Sequence, residues 1–119
     1  MTLLSGALLG IMEEAAVAIL TLTEDIEPDE FFVSRLTQQE VMRQLRIMAE
    51  TAASVPDELK RKLIEIDWAG WAVLGAQLTL TGGFERDAVW FGVRSMVPAT
   101  LMWLRFYQKD APELFSLTP

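Results

Sequence analysis

The side chains in this sequence that can do chemistry are carboxylates and guanidiniums, because the chain contains no histidine and no cysteine. That excludes a Ser-His or Cys-His nucleophile, a zinc centre of the usual ligand set and an imidazole acid or base. Carboxylates can still hold Mg²⁺, and arginines can clamp a phosphate. The densest acidic group is Glu24, Asp25, Glu27, Asp29 and Glu30. A charge run is not a set of converging ligands, so it reads as a solvated loop, and no metal or other cofactor is expected. Glu13 and Glu14 are adjacent, about 100° apart on a helix, and read as a polar stripe. Arg43 and Arg46, with Arg35 nearby, could gather as an anion site. Glu40 and Glu50 beside them make surface ion pairs the simpler reading. Arg86 could bind a phosphate, but it supplies no base. Lys60-Arg61-Lys62 suits the C-terminal end of a helix, and Gly82-Gly83 lacks the Lys and the Ser or Thr of a phosphate-binding loop. Trp68, Trp71, Trp90 and Trp103 read as core or interface before they read as a ligand cage.

The elements that would carry these groups are helical. Leu4, Leu8, Ile11, Ala15, Ala18 and Leu22 recur at helical spacing and predict a first helix over about residues 3 to 24. This stretch is apolar enough to raise a signal or membrane segment. Met1 to Gly10 carries no Lys or Arg, however, and Glu13 and Glu14 would sit mid-bilayer at a cost of about 2.5 to 3.5 kcal/mol each. A core helix and no membrane association are expected. Pro28 with Asp29 and Glu30 predicts a short helical turn that returns Phe31, Phe32 and Val33 to the core.

Thr37-Gln-Gln-Glu40 has the form of a capping box and predicts a helix start there. Val41, Leu45, Met48, Ala52 and Val55 form its apolar stripe, with Arg46 and Glu50 spaced to pair, and Pro56 ends it. Asp57 and Glu58 open a further turn. Trp68 to Thr81 is nearly uncharged and predicts a buried helix closed at Gly82-Gly83. A last long helix is expected from about Phe84 to Asp110, kinked or short of one hydrogen bond at Pro98. No strand alternation, repeat or linker interrupts this pattern. The expected fold is therefore all-α, a single domain over residues 1–119 built as an up-and-down bundle of about four to five helices.

Composition narrows the partners. Ten Lys and Arg against seventeen Asp and Glu give a net charge of −7, which opposes indiscriminate contact with a phosphate backbone, so RNA is not the favoured partner. About half the chain is apolar, more than folding alone requires, which points to a subunit interface. The absence of cysteine is compatible with a reducing compartment, and a cytoplasmic location is expected.

The run Leu36-Thr37-Gln38, then Val41, Arg43, Leu45, Ile47, Glu50 and Ala52, then Pro56, Glu58-Leu59 and Ile66-Asp67-Trp68 resembles the HepT-like branch of the HEPN domains. Val89-Trp90 and Pro98 inside the last helix continue the likeness, which covers nearly the whole chain. The resemblance implies a bundle that dimerises around its third and fourth long helices, which makes Trp71, Gly75, Leu78, Trp90 and Trp103 interface candidates. It also implies a partner, a minimal nucleotidyltransferase acting as antitoxin to a metal-independent ribonuclease toxin.

The ribonuclease signature of that branch is an Arg, then a His a few residues on, then a Tyr two residues later. Here those positions fall near Leu74 or Gly75, Thr79 or Leu80, and Thr81 or Gly82. No Arg, Lys or His occurs from Leu63 to Glu85, so shifting the register does not restore the signature. Attack by an RNA 2′-hydroxyl needs a proton acceptor and charge stabilisation at the phosphate. The expected function is therefore a non-catalytic HepT-like protein acting by protein association, as a homodimer and with a nucleotidyltransferase-type partner. Two alternatives remain: an active RNase with phosphate contacts from Arg43, Arg46 or Arg86 and a carboxylate base, and a helical module that binds a nucleotide or small ligand.

Overall fold

The computed structural model describes residues 3–80 and 86–115, and within these every regular element is helical. In chain order they are α1 (Leu3–Thr23), α2 (Pro28–Val33), α3 (Arg35–Ser54), α4 (Asp57–Lys62), α5 (Trp68–Leu80), α6 (Arg86–Phe91) and α7 (Val97–Asp110). A π-helical turn (Gly92–Met96) joins α6 to α7, and a 3₁₀ turn (Pro112–Phe115) follows α7. The molecule is an all-α bundle measuring 45 × 29 × 20 Å, in which α1 packs on α3 and α7, and α3 packs on α5. The expected Gly82-Gly83 turn lies outside the described residues.

The core is where the apolar stripes meet. Leu9, Met12 and Ile19 of α1, Val41, Leu45 and Met48 of α3, and Val93, Val97 and Leu104 of the last helical run are fully buried. α1 is long and apolar enough to cross a membrane, but Leu9, Met12, Ala15, Ala16 and Ile19 are spent on this core. Burial of each large side chain stabilises the fold by about 1.5–3 kcal/mol. The end of α1 is closed by Thr23, whose hydroxyl donates to the Ile19 carbonyl at 2.8 Å. Asp25 then turns left-handed at φ 58°, a conformation that Asp tolerates better than most residues.

Two local expectations are corrected. α3 starts at Arg35 rather than at the Thr37-Glu40 box. Ser34 closes α2 through its N–H and opens α3 through its carbonyl, which accepts from the Gln38 N–H at 3.0 Å. Its hydroxyl donates to Thr37 at 2.9 Å, so Thr37 sits in the first turn and Glu40 reaches forward to Arg43 instead of back. The long last helix is continuous in path but not in pitch. The Val97 N–H bonds to the Gly92 carbonyl five residues back. Pro98 has no N–H to donate and its ring collides with the carbonyl four residues before it, so a widened turn beside it relieves a clash that regular α geometry would force.

Candidate functional site

The signature positions from Leu74 to Leu80 fall on α5, and three interactions fix how that helix sits. Asp67 caps it, its Oδ1 accepting the Gly70 N–H at 2.8 Å. The Trp68 indole donates to the Leu63 carbonyl at 3.0 Å, with the Lys60 ammonium 5.7 Å from its ring. Trp71 is fully buried and its indole N–H donates to the Thr100 hydroxyl at 2.9 Å, tying α5 to α7. From this anchor Leu74 and Leu78 follow at steps of three and four into the core, and Leu74 packs against Gly92.

The opposite side of α5 is open. Ala72, Val73, Ala76, Gln77 and Thr79 are exposed, and Val73 is 58% exposed. The expectation of a helix buried all round is thus corrected: α5 is apolar on most sides but covered on one. Between it and α3 runs a groove of about 480 Å³, lined by Ala49, Glu50 and Ala53 on α3 and by Trp71, Ala72, Gly75, Ala76 and Thr79 on α5. Small residues bring the two helices close, such that a Cβ built on Gly75 would lie 3.2 Å from that of Ala49. The polar side chains here are the Glu50 carboxylate and the Thr79 hydroxyl, and that hydroxyl donates to the Gly75 carbonyl at 3.0 Å. Among the described residues, the groove is lined mostly by small apolar side chains, with no guanidinium and no nitrogen base.

The signature positions separate accordingly. Leu74 faces the core, while Gly75 and Thr79 face the groove. The Leu80 side chain, Thr81 and Gly82 lie outside the described residues. Among the interface candidates, Trp71 and Leu78 are enclosed within the single chain, Trp71 at the floor of the groove. Trp90 is half-buried against Phe31 and Phe32, with ring centroids 5.4 and 6.1 Å away. Trp103 stands edge-on to Phe106 at 5.6 Å and borders a pocket of about 210 Å³ with Ile66, Phe91 and Met96. Gly75 lines the groove at the close approach of α5 to α3.

Trp90, Phe91, Trp103 and Phe106 widen the apolar surface of the last helical run in the sequence; Phe91, Met102 and Phe106 form its outer stripe, 58%, 56% and 49% exposed. Phe91, Ala99, Met102 and Phe106 recur on the side away from Val93, Val97, Leu101 and Leu104.

The three arginines proposed for phosphate contacts serve different roles. Arg43 donates to both carboxylate oxygens of Glu40, at 2.6 and 3.1 Å. That pair, with Gln44 as a further donor, holds the Glu40 carboxyl well below the ordinary range, at about 2. Arg46 is exposed and, among the described residues, forms no ion pair, so the expected pairing with Glu50 is not made. Arg86 stacks 4.2 Å over the Phe32 ring, on a different part of the bundle. Arg94 stacks over Trp90 and donates to the Ile26 carbonyl, clipping the loop after α1 to the π turn. It shares a second groove, of about 450 Å³, with Arg105, Glu24 and Asp25, where the opposed charges balance. Glu13 is half-buried and accepts from Gln108 of α7 at 3.5 Å, whereas Glu14 is exposed. Among the described residues, no three carboxylates are grouped so that they could hold a metal ion.

No known family profile matches the chain, and no solved structure matches it. A protein of Methanocaldococcus jannaschii named "Putative RNase MJ0127" is 28% identical over 93 residues, which span 77% of this chain and 77% of that protein. The chain therefore has a distant similarity, over most of its length, to a protein that bears the name "Putative RNase".

Proposed function

We propose that this chain is a HEPN-type, RNase-related protein of the HepT-like branch that works by association and not by cleavage. It docks through the open side of α5, as a homodimer and with a nucleotidyltransferase-type partner in a toxin–antitoxin-like pair. The observation that carries the reading is the fate of the signature positions. Leu74 is packed in the core, and Gly75 and Thr79 line an apolar groove whose nearest ionisable group is the Glu50 carboxylate. Such a surface lacks a nitrogen base and the cation that RNA cleavage draws on, and it has the small side chains that let a partner helix approach. The distant RNase-named relative supports the RNase-related origin.

The experiment is the mass of the complex recovered with a tagged chain from its own host under gentle conditions. A stoichiometric nucleotidyltransferase supports the pair, whereas a self-associated dimer alone supports association and removes the nucleotidyltransferase partnership. A monomer with no partner overturns it.

A second reading, an active RNase, draws on the same relative and on Arg46, which is exposed and forms no ion pair among the described residues. It requires a carboxylate base, so its activity would follow the titration of Asp and Glu.

A further inference from the structure

We draw no further inference here: the strongest candidate, the uncharged outer stripe of the last helical run from Phe91 to Phe106 with the pocket beside Trp103, is an unpartnered apolar face and nothing in the structure shows what covers it.

Discussion

The indole N–H of Trp71 donates to the hydroxyl of Thr100 at 2.9 Å in the buried centre of the bundle, joining residues twenty-nine apart in sequence. Both partners are enclosed, Trp71 at 0% and Thr100 at 3% exposure, so neither can exchange the bond for water. Thr100→Val removes the acceptor and leaves the indole unsatisfied. The expected loss is about 1–3 kcal/mol of unfolding free energy, read from urea titration. Trp71→Ala empties the site altogether and is expected to cost about 3–5 kcal/mol. A variant of either kind with unchanged stability would remove this bond from the description of the core.

Two glycines make opposite predictions. Gly92 faces Leu74, whose Cδ2 would lie 3.0 Å from a new Cβ, so Gly92→Val overpacks the π turn against α5 and is expected to destabilise by about 1–3 kcal/mol. Gly10 lies inside α1 with nothing within 4 Å of its would-be Cβ. Gly10→Ala is expected to stabilise by about 0.5–1 kcal/mol, because Ala loses less backbone entropy in a helix. Thermal unfolding of the two variants side by side checks both signs.

Glu40 and Arg43 make the pH-dependent prediction. The Glu40 carboxyl is depressed in the folded chain to about 2, chiefly by the hydrogen bond from Arg43. A depressed carboxyl contributes stability that is present above its unfolded pKa and is lost as pH falls toward about 2. The pair is exposed, so salt screens it and its contribution to stability is small. A carboxyl-detected NMR titration is expected to place the Glu40 midpoint near 2, and Arg43→Gln to raise it toward the ordinary value. A midpoint that stays put in the variant would assign the depression to something other than Arg43.

Association is tested on the open side of α5. Gly75→Arg is a poor probe, because a Cβ there already crowds Ala49 and the monomer would be strained along with any interface. Val73→Arg is cleaner, since that side chain is mostly exposed in the single chain and its charge would be unpaired only where a partner buries it. The expected result is a fall from dimeric to monomeric mass in sedimentation, with an unchanged melting temperature measured at low protein concentration. A dimer that survives Val73→Arg would move the interface elsewhere.

Much of the fold was legible because the signals were local and repeated. The stripe from Val41 to Val55, the turn opened by Pro28 and the break at Pro56 each depend on residues close in sequence. What was hidden needed tertiary context. In α5 the residues from Trp68 to Leu80 are apolar in nearly every direction, so periodicity could not tell Trp71 and Leu78, which face inward, from Val73 and Ala76, which face out. The Thr37 capping box failed because Ser34 stands three residues earlier, already serving α2, and because Arg43 competes for the Glu40 carboxylate. At the candidate site, the missing nitrogen base was plain from the lack of histidine. That Leu74 is core while Gly75 and Thr79 border a groove required the packing of α3 against α5.

The most direct test of the central claim is to incubate the purified chain with RNA from acidic to neutral pH, across the range in which carboxylates titrate. The account predicts that the RNA stays intact throughout. Cleavage that co-purifies with the chain and is lost in Arg46→Ala or Arg86→Ala would contradict it, and would mean that these arginines and a carboxylate do the work of the missing motif.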